Sequence, residues 1–367
     1  MSMLRRLVLK GFKSIKAMDL ELRPLNVLIG ENGAGKSNLV SFFKLLQEMM
    51  AGRLQQFIGA NGYAHSLLYF GPKLTPQMDA QLRFEVENGD VTYAIQLTHG
   101  AEDLLFFSHE SLTFVPNDHG KLKFMPLGSG HKETRIRRPT KERERLRLRR
   151  LLDRCRMYHF HDTSPTARVR QSCFIRDNRA LLPDAGNLAA ILLDLQNYNH
   201  TAYRRLISTI RQIAPFFHDF ALKVGTGDQE TFLDWREMGS DSVFGPHQLS
   251  DGTLRAICLL TLLLQPEDSR WPDLIVVDEP ELGLHPYALD IIASLFKKVS
   301  HHTQVIISTQ SRGLVDHFDA QDIVVVDREG NGPSTFTRLE PERLAPWLED
   351  YSLGEVWEKN VIGGGPH

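Results

Sequence analysis

Several short apolar runs in this chain contain almost no polar positions. Leu25–Ile29 and Leu274–Val277 are the clearest, and Val305–Ser308 and Asp322–Asp327 have the same character. Continuous apolar runs of this length are typical of parallel strands buried on both faces of a sheet. The pattern therefore predicts an α/β fold with a parallel core sheet.

Other parts of the chain alternate between apolar and polar residues, as antiparallel strands with one solvated face do. Residues 80–127 alternate in this way around a turn at Asn88-Gly89-Asp90. Met3–Leu22 is predicted as two antiparallel strands around Gly11–Ser14. We therefore expect an antiparallel β subdomain beside the core sheet.

Helical periodicity appears between these strands. Residues 25–50 are predicted as strand, loop and helix, because Asn38–Met50 carries apolar residues at helical spacing. The residues predicted on its buried face are Leu39, Phe42, Phe43, Leu46 and Met49. Further helices are predicted over residues 140–156, 185–217, 250–264, 287–299 and 344–358, and a strand is predicted over Tyr158–Asp162.

The loop between the first core strand and its helix reads Gly-Glu-Asn-Gly-Ala-Gly-Lys-Ser, residues 30–37. Glycines permit a tight turn whose N–H groups point at phosphate oxygens, which is the mechanism of a P-loop. In this pattern Lys36 reaches the β- and γ-phosphates, and Ser37 offers its hydroxyl to Mg²⁺. The sequence thus predicts ATP and Mg²⁺ as cofactors. The predicted nucleotide-binding residues of this loop are Gly30, Glu31, Asn32, Gly33, Ala34, Gly35, Lys36, Ser37 and Asn38.

A second motif follows the apolar run at 274–277, where Asp278 and Glu279 come directly before Pro280. Ligands of open α/β sheets lie at the carboxyl ends of the strands. Asp278 is placed there to hold Mg²⁺, through water, and Glu279 to activate the attacking water as a general base. The two motifs together predict an ATPase that releases ADP and phosphate.

Leu249–Arg255 reads Leu-Ser-Asp-Gly-Thr-Leu-Arg and resembles the signature loop of ABC-type ATPases, commonly Leu-Ser-Gly-Gly-Gln. Asp251 and Thr253 depart from the transporter form. The run Glu279–Pro286, with its acid-Pro-acid and His-Pro pairs, is similar to the RecF/SMC/OLD branch of non-transporter ABC ATPases. The ordered motifs cover nearly the whole chain.

This resemblance implies a symmetric homodimer that closes on ATP. In the family, the signature serine of one subunit meets the nucleotide on the other. Ser250 and Gly252 of one copy would then contact the γ-phosphate bound at Lys36 and Ser37 of its partner. Gln310 stands at the catalytic switch position where the family usually has His. Its amide can still donate to a phosphate oxygen but cannot carry a proton, so turnover is expected to be slow.

About 210 residues separate the P-loop from the signature loop, more than one crossover connection requires. No sustained heptad seam appears in this insert, so we expect it to be compact. Three domains are predicted. Residues 1–162 form a first ATPase lobe with the P-loop, the β subdomain and a basic helical segment at 132–156, and residues 163–248 form a helical lobe. Residues 249–367 contain the signature loop, the Walker B motif (the apolar run 274–277 with Asp278 and Glu279), the switch residue Gln310 and the C-terminal part of the ATPase core.

Composition adds limits on location. The formal net charge is −2, and the chain has three cysteines without close or metal-type spacing. Such cysteines are typical of reduced thiols in a cytosolic protein. No apolar run approaches a membrane span, and strand pattern begins at once after the N-terminus, so no signal peptide is expected. The predicted location is the cytoplasm.

The segment 132–156 contains many more basic than acidic residues. Clustered arginines suit phosphate groups and are the electrostatic signature of nucleic acid binding. A solvated helix with Glu142, Glu144 and Asp153 pairing to nearby arginines is an equally good interpretation. The sequence leaves both open, with double-stranded DNA as the candidate partner.

Two histidines, His159 and His161, fall on one face of the predicted strand at a spacing that metal ligands can have. No cysteine or carboxylate cluster accompanies them, so packing is the better interpretation. The family resemblance makes Asp162 a weak candidate for the residue that senses Mg²⁺ and nucleotide between the lobes.

Three functions remain at this stage. The first is a DNA-linked ATPase in repair or in defence against phage and other foreign DNA. The second is a regulatory ATPase subunit that controls a separate effector such as a nuclease. The third, a transporter nucleotide-binding subunit, is disfavoured by the insert, by Asp251 and Thr253, and by Gln310.

Overall fold

The computed structural model describes residues 2–117, 120–223, 229–266 and 271–365. Its strands are β1 (Met3–Phe12), β2 (Ile15–Glu21), β3 (Leu25–Ile29), β4 (Gln77–Val86), β5 (Gly89–His99), β6 (Leu105–Pro116), β7 (Lys123–Gly128), β8 (Cys155–Tyr158), β9 (Cys173–Phe174), β10 (Phe217–Phe220), β11 (Glu230–Thr231), β12 (Trp235–Glu237), β13 (Val243–Phe244), β14 (Leu274–Asp278), β15 (Gln304–Thr309), β16 (Ile323–Asp327) and β17 (Thr335–Arg338).

The helices of the described residues are α1 (Lys36–Ala51), α2 (Leu54–Ala60), α3 (Tyr63–Leu67), α4 (Arg143–Asp153), α5 (Leu188–Tyr198), α6 (His200–Ile213), α7 (Asp251–Leu264), α8 (Pro286–Ser300), α9 (Arg312–Val315), α10 (Pro341–Leu348) and α11 (Leu353–Glu358). Short 3₁₀ turns occur at Ala101–Asp103, Arg135–Arg137, Arg168–Arg170, Pro246–Gln248 and Ala320–Asp322.

Two six-stranded sheets organise the fold. The core sheet has the order β17-β16-β3-β15-β14-β8, and β16, β3, β15 and β14 run parallel. The other sheet has the order β2-β1-β4-β5-β6-β7, and each neighbouring pair is antiparallel. The predicted parallel core and antiparallel β subdomain are therefore confirmed.

Helix α1 packs between elements of both sheets. It contacts β14 and β15, and its Phe42 ring makes an edge contact with Phe12 of β1 at 5.9 Å. The five apolar residues predicted on its buried face are at most 3 % exposed. Burial of this face ties the loop before α1 to the centre of the apolar core.

The described chain divides into two compact units. Unit 1 comprises residues 1–157, 272–278 and 300–367, and unit 2 comprises residues 158–271 and 279–299. The P-loop belongs to unit 1 and the signature loop to unit 2. The three-part domain division made from the sequence stays a prediction.

Two predicted element boundaries near residue 156 are wrong. The helix ends at Asp153, and Cys155–Tyr158 forms β8 beside β14, so residues 159–162 lie outside any strand. Cys155 and Met157 are buried in the core, and their burial in the sheet outweighs the helical pattern that precedes them.

Two predicted long helices are each divided in the structure. Asn199 interrupts the segment 185–217, because its side chain accepts a hydrogen bond from Ala202 N (3.1 Å) and caps α6. Ser352 and Glu355 form a capping box that starts α11 as a separate helix from α10. The predictions over 250–264 and 287–299 are confirmed by α7 and α8.

None of the helices in the described part of the chain combines the length and apolar character needed to cross a membrane.

Candidate functional site

The loop from Gly30 to Gly35 joins β3 to α1 in conformations that favour glycine. Gly30, Gly33 and Gly35 have φ angles of 155°, 84° and 119°. A β-carbon at Gly30 would lie 2.2 Å from the carbonyl oxygen of Val326, and one at Gly35 would lie 2.2 Å from Ser334 Oγ. Side chains at these two positions would therefore displace the loop.

Helix α1 begins at Lys36 without a side-chain cap on its first N–H groups, since Gly35 stands at the N-cap. The start of a helix combines N–H donors with the positive end of the helix dipole, and both favour an anion. The geometry is that of a phosphate-binding loop.

Lys36 is 4 % exposed and lies along the loop. Its Nζ donates to the carbonyl oxygens of Gly30 (2.6 Å) and Glu31 (2.9 Å). The ammonium group is thus held in the concave side of the loop, where the phosphates of a nucleotide would bind.

The loop is supported from behind by residues that are distant in sequence. Ser334 Oγ donates to the carbonyl of Ala34 (2.5 Å) and bonds Ser14 Oγ (2.6 Å), which in turn accepts from Asn38 Nδ2 (2.6 Å). Ser334 is 1 % exposed. This network connects the β1–β2 turn, the P-loop and the start of β17.

The C-terminal glycines form a second support. Trp357 Nε1 donates to the carbonyl of Gly364 (2.9 Å), and a β-carbon on Gly364 would lie 3.5 Å from Gly30 Cα. Gly364 has φ 63°, so both conformation and space favour glycine here.

Asp278 ends β14 at the same edge of the sheet as the P-loop. It is 9 % exposed and lies opposite Ser308 of β15. Ser308 Oγ is buried and lacks a hydrogen-bond partner among the described residues. A buried hydroxyl without a partner is costly, and a Mg²⁺-bound water or a phosphate oxygen would satisfy it.

Glu279 follows Asp278 in the chain and is the first residue of unit 2 after β14. Its φ of 44° lies in the left-handed region, which is uncommon for a residue with a side chain. Strain of this kind is concentrated at functional sites.

Gln310 follows β15 directly and is half-buried. Since β15 lies between β3 and β14 in parallel register, Gln310 leaves the sheet at the edge that also carries Gly30 and Asp278. Unit 1 therefore brings together the P-loop, Asp278 and Gln310.

The signature loop lies in unit 2 at the start of α7. Ser250 is the N-cap: its Oγ accepts from Thr253 N (3.1 Å) and donates to Thr253 Oγ1 (2.8 Å). Ser250 is exposed, and a β-carbon on Gly252 would lie 2.2 Å from the carbonyl oxygen of Gly283. Gly252 is therefore required for the close approach of the loop that follows Glu279.

The segment 159–162 shows no arrangement for a metal. The rings of His159 and His161 contact each other, tilted by 46° with centroids 4.1 Å apart, and Asp162 is exposed and accepts a hydrogen bond from Ser164 N (3.1 Å). Hydrogen bonds from the side chain of Ser164 and from its backbone N–H lower the pKa of Asp162. Within the described ranges, no group of three or more His, Cys, Asp or Glu residues is placed to hold a metal ion.

The donor set at the edge of the core sheet fits a nucleotide with Mg²⁺. The P-loop supplies N–H groups and one ammonium, Asp278 supplies a carboxylate, and Ser308 a buried hydroxyl. These are the group types that bind phosphate and a hard cation.

Solved structures with the same fold include SMC head domains. One is the Smc head domain with an extended coiled coil bound to the C-terminal domain of ScpA from Pyrococcus furiosus, with TM-score 0.60, 15 % identity, and coverage of 95 % of this chain and 99 % of that one. Another is an Smc head bound to the C-terminal winged-helix domain of ScpA, with TM-score 0.59, 16 % identity, and coverage of 94 % and 99 %. The chain therefore has the fold of SMC head domains, which agrees with the ABC-type fold predicted from the sequence.

The family is shown by sequence. Residues 25–316 match the AAA_21 family, described as "AAA domain, putative AbiEii toxin, Type IV TA system". The chain belongs to this family. No curated protein matches it at a significant level.

Several supporting residues were not predicted from the sequence. Ser14, Ser334 and Gly364 reach the P-loop from the two ends of the chain, so no local pattern connects them to it. Ser308 had a weak signal, because it sits in the polar end of an otherwise apolar strand, two residues before Gln310.

Proposed function

We propose that this protein is a cytoplasmic ATPase that closes into a homodimer around two ATP molecules and hydrolyses them slowly. The proposal is carried by the meeting of Gly30–Ser37, Asp278 and Gln310 at one edge of one sheet. Fold and family support the ATPase class, whereas the dimer and the hydrolysis are our inference.

Within this proposal each residue has one task. Lys36 and the loop N–H groups would hold the β- and γ-phosphates, and Ser37 and Asp278 would hold Mg²⁺. Bound Mg²⁺ would neutralise charge that develops on the phosphates. Glu279 accepts the proton of the attacking water, and Gln310 donates an amide N–H to the γ-phosphate.

The second copy completes the site. Ser250 is an exposed hydroxyl at the start of a fourteen-residue helix, and such a helix start favours an anion. We infer that Ser250 and Gly252 of one copy contact the γ-phosphate held by the other, in an isologous dimer. ATP would then favour the closed dimer because only the triphosphate makes contacts with both copies.

Complementation between two inactive variants tests this arrangement. Ser250→Arg should abolish hydrolysis, and Lys36→Ala should do the same by loss of nucleotide binding. An equal mixture should recover part of the activity, because each heterodimer contains one site with an intact P-loop and an intact signature. A mixture that forms heterodimers but stays inactive would contradict the trans arrangement.

The dimer is further proposed to act on double-stranded DNA. Arg138, Lys141 and Arg143 of the basic segment are exposed. Lys121, Lys123, Arg143 and Arg147 line a cavity of about 510 Å³ beside α4, together with Glu144, which pairs with Lys123 (2.6 Å). A surface rich in basic side chains suits the phosphate groups of duplex DNA. Repair and defence against foreign DNA are both compatible with this activity.

A second candidate is a regulatory ATPase whose partner is a separate effector, for example a nuclease. Three of the arginines in α4 are already engaged within unit 1: Arg145 donates to Arg135 O, Arg149 donates to Arg137 O (3.3 Å), and Arg147 lies 5.8 Å from the Phe114 ring centre. These interactions leave fewer arginines for DNA than the sequence suggests. The toxin–antitoxin description of the family also favours a partner effector.

A further inference from the structure

Arg170 is a buried cation directed at the signature loop. It lies in the turn Arg168–Arg170 of unit 2 and is 6 % exposed. Its Nε donates to the carbonyl of Thr163 (2.8 Å), its Nη1 donates to Pro246 O, and both terminal nitrogens approach Leu249 O at 3.3 Å. Leu249 directly precedes Ser250, so the guanidinium holds the backbone immediately before the signature serine in place.

The fourth partner of Arg170 is the residue that departs from the usual signature. Nη2 bonds Asp251 Oδ1 at 2.8 Å, and the two side chains are 5 % and 61 % exposed. An exposed carboxylate needs no ion pair to be stable in water. A buried guanidinium, however, costs free energy unless its N–H groups have partners. The contacts of Arg170 therefore stabilise the signature loop, whereas Asp251 does not need the ion pair.

Asp251 also carries a negative charge next to the residue that is proposed to meet a γ-phosphate. A carboxylate in the first turn of α7 is favoured by the helix dipole but repels an incoming phosphate. Glycine at this position, as in the common signature, has no such charge. Arg170 neutralises Asp251 at the point where the repulsion would be largest.

A second arginine fixes the same region. Arg255 of α7 donates to His161 O (2.8 Å) and to Thr163 Oγ1 (3.2 Å), so Thr163 is bonded by both arginines. The start of α7 is therefore attached to the segment 160–163 at two points.

We propose that Arg170 is the positioning residue of the signature loop, which holds Ser250 in place and neutralises Asp251 so that the loop can accept the nucleotide of a second copy. This inference rests on the proposed trans-acting dimer. Arg170 does not touch the nucleotide, and it acts through Leu249, Ser250 and Asp251.

The test uses the full chain with Arg170→Ala, Arg170→Lys and the matched control Arg168→Ala. Arg168 belongs to the same turn and forms an exposed pair with Asp184 (3.1 Å). Affinity for a fluorescent ATP analogue is measured at low protein concentration, and ATP hydrolysis is measured at high concentration. Circular dichroism and thermal unfolding report folding.

Arg170→Ala should bind the analogue as the wild type does, because the P-loop belongs to unit 1, but should lose roughly 10²-fold in kcat, the size expected when a catalytic group is misplaced. Mixing with Lys36→Ala should recover part of the activity, since Lys36→Ala supplies an intact signature loop. Arg170→Lys should show a smaller loss because it keeps the charge without the fork. Arg168→Ala should behave as wild type.

In the double variant Arg170→Ala/Asp251→Gly the loss should be smaller than in Arg170→Ala, because no unneutralised carboxylate faces the phosphate. An equal loss in the double variant, a wild-type kcat in Arg170→Ala, or no recovery on mixing would overturn the inference. If Arg170→Ala does not fold, a wild-type kcat in Arg170→Lys overturns it.

The Ser250→Arg and Lys36→Ala mixture distinguishes this failure from failure of the proposed function. Recovery in that mixture with no effect of Arg170 would refute only the role of Arg170. No recovery there would refute the trans-acting dimer and the inference with it.

Discussion

The P-loop and the signature loop each lead into a helix, and we propose that both meet phosphate at its first turn, yet they are built differently. At the P-loop the N-cap is Gly35, and no side chain occupies the first N–H groups of α1. At the signature loop Ser250 caps α7 with its own hydroxyl. The P-loop can thus surround a phosphate with backbone alone, whereas the signature loop offers one hydroxyl and requires that it be placed correctly.

The supports of the two loops differ in the same way. The P-loop is held by small residues that fill the space behind it, Ser14, Ser334 and Gly364. The signature loop is held by two arginines that bond carbonyl oxygens, Arg170 and Arg255. We infer that the P-loop determines the affinity for nucleotide within one copy. We infer that the signature loop determines whether two copies can complete the site around that nucleotide.

Ser334→Ala tests the support behind the P-loop and has the largest effect on nucleotide affinity that we expect from any residue supporting the two loops. It removes the hydrogen bonds to Ala34 O and Ser14 Oγ and leaves a buried carbonyl without a donor, which costs about 1–3 kcal/mol. The affinity of dilute protein for ATP, measured by calorimetry, should fall about tenfold or more, because each 1.4 kcal/mol is a factor of ten.

Ser294→Ala is the matched control, since Ser294 Oγ donates to Asp290 O (2.8 Å) on the surface of α8. It should leave ATP affinity unchanged. Wild-type affinity in a folded Ser334→Ala variant would contradict the idea that the loop depends on support from behind.

The basic segment, residues 132–156, belongs to unit 1 but to neither loop, so it is a third region to compare with the P-loop and the signature loop. Arg138→Glu/Arg143→Glu should weaken binding to duplex DNA of any sequence and reduce the slope of log K against log salt by about 0.9 for each phosphate that is no longer neutralised. Fluorescence anisotropy over a salt series is the measurement. These two residues are exposed, whereas Arg145 and Arg149 bond backbone carbonyls, so replacing Arg145 or Arg149 would also disturb the fold.

Arg204→Glu/Arg205→Glu on α6 is the control of equal charge in unit 2. An equal loss of DNA affinity in both double variants would show a general charge effect. If the wild type does not bind DNA even with ATP at low salt, the regulatory function with a separate effector is favoured.

A site residue could be predicted where its signal lies in a short segment of sequence, and it was missed where the signal depends on distant residues. The P-loop, Asp278 and Gln310 each lie within or directly after one strand, so a short pattern placed them correctly at the sheet edge. Ser334 is 320 positions from Ser14, and Arg170 is 81 positions from Asp251. No short pattern connects such residues, because only the folded chain brings them together.

The wrong boundaries have a similar cause. Cys155–Tyr158 follows an arginine-rich helix without a glycine or proline between them, so the periodicity gave no stop signal, and only pairing beside β14 makes it a strand. Asn199 did carry a signal, since asparagine is a preferred N-cap, but the apolar residues at helical spacing before it (188–195) and after it (206–213) suggested one continuous helix.

The central claim is that ATP joins two copies through the P-loop of one and the signature loop of the other. Glu279→Gln tests it most directly, because it removes the general base, keeps the side-chain volume and should lower turnover by roughly 10²-fold or more. Size-exclusion chromatography with light scattering should find monomer without nucleotide and a stable dimer with ATP and Mg²⁺. A variant that stays monomeric at saturating ATP, or that hydrolyses ATP at the wild-type rate, would contradict the account.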